Sequence, residues 1–179
     1  MLVLISAVLL LAATATPVAA RQVVITLSGN GDAAVVGCTD GSEPPCADTV
    51  VVSFAGMVSG SPFNDVKGVK DDSAIFTGTL EIPTATVNPG CYSDVIGTFA
   101  LAVPRGQSDR LAFEIDAMGS FCFGSFTGTF TVDSSGARVS AFRDSTGSGT
   151  LLLVTNLDVS TSDEGVFTVN MNGVMAVTR

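Results

Sequence analysis

The stretch that decides the fold is FTGTFTVDSSGARVSAFRDSTGSGTLLLV, residues 126–154. Apolar and polar side chains alternate at both of its ends, while Ser and Gly interrupt the alternation in the middle. A period of two is typical of a β-strand with one buried face, and Ser134-Ser135-Gly136 is typical of a turn. The stretch therefore predicts strands joined by tight connections, with no helix.

The same period recurs along most of the chain, and no window has the 3.6-residue period of an amphipathic helix. The predicted strands cover residues 22–27, 49–57, 74–82, 95–103, 110–118, 121–132, 137–142, 149–155 and 166–176. Turns are predicted at Asn30-Gly31-Asp32, Asn88-Pro89-Gly90, Pro104-Arg105-Gly106 and Asp163-Glu164-Gly165. The long segment 121–132 has room to bend at Gly124 or Gly128, so the pattern predicts roughly nine or ten strands.

A short Gly-Thr theme recurs within these strands, as FTGTL at 76–80, FTGTF at 126–130 and GTL at 149–151. Its copies are irregularly spaced, which excludes a solenoid because solenoid repeats have a fixed period. Glycine inside a strand marks a bend or a close backbone approach, and a sheet that closes on itself needs such bends. The sequence therefore predicts an all-β fold, a single antiparallel meander closed as a β-barrel, with a β-sandwich as the alternative.

The stretch 126–154 resembles the GTFTI-turn-GTGRFAGATGSGTLT pattern of small secreted bacterial β-proteins. A related pattern occurs in the β-barrel group of the allene oxide cyclases and dirigent proteins, and ITLSGNG at 25–31 is similar to the opening of such proteins. The resemblance implies a barrel fold, and some members of that group bind or cyclise hydrophobic small molecules in the barrel mouth. Residues 135–138 depart from the GTGRF element, and no active-site residue of the family maps onto this chain.

Residues 1–20 have the features of a secretory leader. An apolar run at 2–13 is too short to span a bilayer, and small residues precede Arg21 as a signal-peptidase site requires. We therefore expect a signal peptide at 1–20 and a single all-β domain at 21–179, secreted or in the cell envelope. After cleavage the domain is expected not to insert stably in a membrane, whereas an uncleaved membrane anchor is the alternative.

The composition excludes several classes of function. Lys and Arg number 8 against 17 Asp and Glu, a formal net charge of −9, which argues against nucleic acid and anionic lipid as partners. The chain has no His, so Ser–His and Cys–His nucleophile pairs and imidazole metal ligands are excluded. It also has no Trp and only one Tyr, which leaves few aromatic platforms for sugars. No cofactor is predicted.

The four cysteines predict two disulfides, because a secretory leader implies an oxidising compartment. Three pairings are possible for four cysteines. Cys38 and Cys46 flank the turn-rich segment CTDGSEPPC, which brings its ends together easily. We therefore favour Cys38–Cys46 and Cys91–Cys122. A thiolate metal site is the alternative, but the chain lacks any CxxC spacing.

Glu114 and Asp116 are the candidate catalytic residues. They lie two apart in LAFEIDA at 111–117, so a strand projects both side chains on one face, about 7 Å apart. Two carboxylates at such a distance suit general acid–base chemistry on a glycosidic bond. The alternative is the solvent face of an amphipathic strand, and a barrel with a polar lumen would instead place this face inside.

Asp65, Asp71 and Asp72 are the candidate calcium ligands. Calcium takes six to eight oxygen ligands, often from acidic loops, although these residues do not fit the DxDxDG spacing. Solvated loop charge is the alternative. The motifs GNG at 29–31 and GSG at 147–149 precede no helix, so they are predicted to be turns and not phosphate-binding loops.

Three functions are consistent with the sequence. The favoured one is a secreted, disulfide-containing β-domain without catalytic activity, with a binding role or a structural role in the envelope or outside the cell. The second is a carrier or cyclase-like barrel for a small apolar ligand, lined by some of the 11 Phe and 5 Met. The third is a carboxylate-dependent hydrolase acting through Glu114 and Asp116.

Overall fold

The structure is a computed structural model, which describes residues 20–65, 73–84, 90–105, 108–161 and 163–177. Its strands are β1 (Arg21–Cys38), β2 (Thr49–Ser61), β3 (Ser73–Pro83), β4 (Cys91–Arg105), β5 (Ser108–Cys122), β6 (Ser125–Asp133), β7 (Thr146–Thr155) and β8 (Glu164–Val177). Each strand pairs antiparallel with the next, and β8 pairs antiparallel with β1 to close the sheet. The predicted meander closed as a β-barrel is therefore confirmed. The predicted leader, except Ala20, lies outside the described residues.

The segment predicted as one bending strand at 121–132 is instead a hairpin. β5 ends at Cys122, β6 begins at Ser125, and Phe123 and Gly124 form the turn between them. Both turn residues have positive φ, 47° at Phe123 and 77° at Gly124, which matches the twist of a two-residue hairpin. The glycine proposed as a bend therefore reverses the chain, which is why the periodicity on either side belongs to two strands.

The strand predicted at 137–142 is also wrong. The Ser134-Ser135-Gly136 segment leads out of β6 as predicted, but it continues into a loop that contains a 3-10 turn, Ser140–Phe142. Phe142 is buried, while the residue two before it, Ser140, is exposed. The loop therefore folds back to insert one phenylalanine into the barrel end. The backbone N–H groups of Arg138 and Val139 donate to the carbonyl oxygen of Leu111 in β5, but within the described residues the loop forms no strand ladder.

Two glycine motifs predicted as turns lie inside strands. GNG at 29–31 is in the middle of β1 and GSG at 147–149 is in β7. Gly31 pairs with Gly56 of β2, and a Cβ on Gly31 would collide with the carbonyl oxygen of Ala55. The strand backbones approach each other too closely for a side chain there, so glycine serves a contact between strands and not a reversal of the chain.

Inward-facing glycines also make room for aromatic rings. A Cβ built on Gly149 would lie 2.7 Å from the Cζ atom of Phe130, and one on Gly173 would lie 3.1 Å from it. In the TGT copy at 127–129 the glycine faces inward, while both threonines are exposed. The recurring Gly-Thr theme thus combines a space for a ring inside the barrel with a hydroxyl on its outer wall.

Seven of the buried phenylalanines pack in two groups. The central cluster consists of Phe54, Phe76, Phe99 and Phe167, whose ring centroids are 5.0 to 6.4 Å apart. The plug cluster consists of Phe63, Phe113 and Phe142, at 5.6 to 5.9 Å. All seven rings are almost completely buried. Distances in this range are typical of favourable aromatic pairs, so the rings pack against one another.

The two ends of the barrel are built differently. At the plugged end, the 3-10 turns Phe63–Asp65 and Ser140–Phe142 carry two members of the plug cluster inward. At the disulfide end, the structure joins Cys38 to Cys46 and Cys91 to Cys122, the two pairings favoured from the sequence. Cys91 and Cys122 are opposite each other in the β4–β5 register, so this bond ties two neighbouring strands directly.

Candidate functional site on the outer wall

The candidate catalytic pair lies outside the barrel. Glu114 and Asp116 are exposed on β5, while Phe113 and Ile115, on the other face of the strand, are buried. In the strand register Asp116 is opposite Thr98 on one side and Thr131 on the other. Both carboxylates thus have the solvent-facing position that the alternative interpretation expected, and they do not line the interior.

The described part of the structure does not bring the candidate calcium ligands together. Asp65 belongs to the 3-10 turn Phe63–Asp65, whereas Asp71 and Asp72 lie outside the described residues. Across the part of the chain that is described, no group of three or more Cys, Asp or Glu side chains is placed to hold a metal ion.

A groove of about 310 Å³ opens on the outer wall across β4, β5 and β6. Its lining residues are Ile96, Asp116, Ala117, Met118, Thr129, Phe130 and Thr131. Ile96 and Met118 are opposite each other in the register and leave 49% and 62% of their surface exposed. Together they form an apolar wall beside the Asp116 carboxylate. We name this feature the β5 groove.

The β5 groove lies in an acidic part of the outer wall. Glu81 is opposite Ile96 in the β3–β4 pair, and Glu114 is opposite Asp133 in the β5–β6 pair. Within the described residues, the side-chain carboxylates of Glu81, Glu114 and Asp116 have no ion-pair or hydrogen-bond partner. Their register neighbours are apolar, hydroxyl-bearing or acidic side chains. Among the described residues, the register neighbours of these three carboxylates therefore supply no positive charge.

A second groove of about 310 Å³ lies on another part of the outer wall, where β7, β8 and β1 meet. It is lined by Gln22, Thr146, Gly147, Ser148, Val174, Met175 and Ala176. The groove contains no carboxylate, and its exposed apolar side chain is Val174, which is opposite Val24. This β8 groove matches the β5 groove in size but differs from it in charge.

Three other exposed carboxylates, two in turns and one at the end of β6, accept hydrogen bonds from nearby serines. The Ser42 hydroxyl and backbone N–H donate to Asp40 and hold its carboxyl pKa below the usual value, and Ser160 does the same for Asp158. At Asp133 the backbone N–H of Ser135 is the larger cause of the lowered pKa and its hydroxyl the smaller. These bonds stabilise turns, since a charged carboxylate is the better acceptor.

Sequence analysis identified Asp116 as a candidate residue but did not identify Ile96 and Met118, the apolar wall of the β5 groove. Ile96 and Met118 each lie between inward-facing residues, so the strand period already placed both on the outside. Large apolar side chains at outward positions are the signal that was available. Their meeting across the β4–β5 pair depended on register, which the sequence did not fix.

Comparison with known proteins gives a distant structural similarity. No protein-family model matches the chain, and a search of the curated proteins finds no match. The solved structure of the pterocarpan synthase dirigent protein GePTS1 aligns over 89% of this chain and 93% of that chain, at 10% identity and a TM-score of 0.45. In the described residues, no helix is both long and apolar enough to cross a membrane. The barrel is established by the strand pairing.

Proposed function

We propose that this chain is a secreted, disulfide-bonded β-barrel that binds a partner on its surface without catalysing a reaction. The observation that carries the proposal is the distribution of ionisable side chains between the barrel interior and its outer wall. Among the described residues, the buried polar side chains are Ser134, Ser145 and Thr155, and no buried side chain is ionisable. General acid–base chemistry favours groups whose pKa is shifted by burial or by close charges, and the interior supplies none from these residues.

The packing of the phenylalanines also supports a role for the outer surface. Each ring of the central cluster is buried and packs against two others of the cluster, and the plug cluster covers one end. A carrier barrel instead needs an interior cavity of several hundred Å³ for its ligand. The candidate hydrolase pair is solvated on the outer wall, and Asp116 lines the β5 groove whereas Glu114 does not. Binding at the wall or at an end is therefore the favoured function.

Native mass spectrometry of the mature protein secreted from its own host tests this proposal, before and after denaturing extraction. The expected species begins at Arg21, is four protons lighter than the reduced chain, and loses no apolar molecule on denaturation. A co-purifying apolar molecule released by denaturation would support the carrier function instead. An intact leader or four free thiols would overturn the proposal that the chain is secreted.

A further inference from the structure

The β5 groove has the dimensions of a small-molecule site and not of a protein interface. Its volume of about 310 Å³ is at the lower end of the range for small-ligand pockets. A stable protein interface buries roughly 800 Å² on each partner, which is far more than these side chains present. The occupant suggested by size is a molecule of roughly ten non-hydrogen atoms.

The chemistry of the groove indicates what such a molecule carries. Ile96 and Met118 offer an exposed apolar wall, which suits an aliphatic chain. Asp116 lines the same groove and its carboxylate has no partner among the described residues, while Glu81 and Glu114 add negative charge on the same wall. A cation near these carboxylates is favoured over a neutral or negative group by Coulomb attraction.

We infer that the β5 groove binds a small aliphatic amine in its protonated form. The alkyl chain lies against Ile96 and Met118, and the ammonium group donates hydrogen bonds to the Asp116 carboxylate. The hydroxyls of Thr129 and Thr131, which also line the groove, are available to accept from the remaining ammonium protons. This inference rests on the proposed function as a surface-binding barrel and names the class of its ligand.

The β8 groove provides an internal control. It has the same volume and lies on the same barrel, but its lining residues carry no charge. An alkyl chain alone would enter both grooves, whereas an alkylammonium ion should prefer the β5 groove. The comparison therefore separates recognition of the charge from nonspecific contact with exposed apolar side chains.

Octylammonium is the probe for this site, and 1-octanol and octanoate are its neutral and anionic counterparts. Methyl resonances of Ile96, Met118 and Val174 in the oxidised protein report both grooves in a carbon–proton correlation titration. We expect octylammonium to shift the Ile96 and Met118 methyls with a dissociation constant on the order of 10 mM, because a ligand of this size gains little per atom. Octanol should bind more weakly there, and octanoate more weakly still.

Two variants divide the site into its charged and apolar parts. Asp116→Asn should weaken octylammonium binding about threefold and leave octanol unchanged, because an exposed ion pair contributes little. Met118→Ser should weaken both about fivefold, because less apolar surface leaves water. Val174→Ser, in the β8 groove, should change neither. Asp116 and Met118 are exposed, so the variants are expected to stay folded, which circular dichroism checks.

Three results would overturn the inference. Octanoate binding as tightly as octylammonium would remove the role of charge, and equal shifts at Val174 would remove the preference for this groove. Tighter binding of a lysine-containing tripeptide would identify a peptide side chain as the ligand instead of a free amine. Each of these results leaves the proposed function intact, because that is judged by the mass, thiol state and cargo of the secreted protein.

Discussion

The two ends of this barrel are stabilised by different interactions. At the plugged end, Phe63 and Phe142 fold inward from 3-10 turns and pack on Phe113, so apolar burial closes the end. At the disulfide end, two covalent bonds tie a loop and a strand pair. Stability of the first end depends on packing, whereas stability of the second depends on restricting the unfolded chain. The two ends should therefore respond to different perturbations.

The largest effect is expected from removing the plug. Phe142→Ala deletes a fully buried ring that contacts two others, and we expect the free energy of unfolding to fall by about 4 kcal/mol. Urea denaturation of the oxidised protein measures this loss. Phe123→Ala is the matched control, because that ring is 84% exposed at the disulfide end and should change stability by less than about 0.5 kcal/mol. Similar losses in the two variants would contradict the assignment of the plug.

The disulfide end should lose stability in the order of its loop lengths. The Cys91–Cys122 bond closes 31 residues and the Cys38–Cys46 bond closes 8. The loop-entropy relation predicts losses of roughly 3.5 kcal/mol for Cys91→Ser/Cys122→Ser and roughly 2.5 kcal/mol for Cys38→Ser/Cys46→Ser. Urea denaturation of the two double variants measures the difference. The reverse order would show that strain or contacts in the native state, and not chain entropy, dominate at this end.

A smaller test concerns two serines in the loop that carries Phe142. The Ser134 hydroxyl is buried and donates to the carbonyl oxygen of Ser145 at 2.7 Å, so Ser134→Ala should cost about 1 to 2 kcal/mol. The Ser145 hydroxyl is also buried but has no hydrogen-bond partner. Ser145→Ala should therefore be neutral or stabilising, since it removes an unsatisfied group. Thermal unfolding of the two variants compares them, and a larger loss at Ser145 would contradict this hydrogen-bond assignment.

The difference between the ends also marks what the sequence was able to predict. The disulfide pairing could be predicted, because Cys38 and Cys46 are close in the chain and their pairing leaves one choice for the other two cysteines. The packing at the plugged end could not be predicted, because Phe142 belongs to a loop whose apolar residues have the spacing typical of a strand. Its burial depends on Phe63 and Phe113, which are far away in sequence, and local periodicity carries no information about such contacts.

The remaining errors in the sequence-based prediction concern glycine positions and have a related cause. A glycine is required both where a chain reverses and where two backbones come close, and the local sequence is similar in the two cases. Gly124 reverses the chain between β5 and β6, whereas Gly31 lies in a strand against Gly56. The β5 groove was partly predictable, because the outward position of Asp116 follows from the period of two. Its apolar wall required the register between β4 and β5.

The hairpin turn at the disulfide end offers a substitution that should increase stability. Phe123 is a bulky residue with a positive φ of 47°, followed by Gly124, also with positive φ. Asn-Gly is the preferred sequence for such a turn, since asparagine tolerates the left-handed region far better than phenylalanine. Phe123→Asn should therefore raise the free energy of unfolding by about 1 kcal/mol, measured by urea denaturation. A loss of stability would show that the exposed ring contributes through its contact beside Gly90.

The smallest effects are expected at the exposed carboxylates of Asp40 and Asp158, at the disulfide end, and of Asp133, at the plugged end. The pKa values of Asp40, Asp158 and Asp133 are lowered in the folded protein from 3.8, so their stabilising contribution is present above that pH and is lost as the pH falls through the lowered pKa.

The serine hydroxyl is the main cause of the lowered pKa at Asp40 and Asp158, whereas the backbone N–H is the main cause at Asp133. Substituting alanine for Ser42 or Ser160 should therefore return the carboxyl pKa further towards 3.8 than Ser135→Ala does. Carbon-detected titration of the carboxyl groups between pH 2 and 6 measures the three values. Equal changes in all three variants would show that the hydroxyls contribute alike at the two ends. A larger change at Asp133 would reverse the assignment of the stronger donor there.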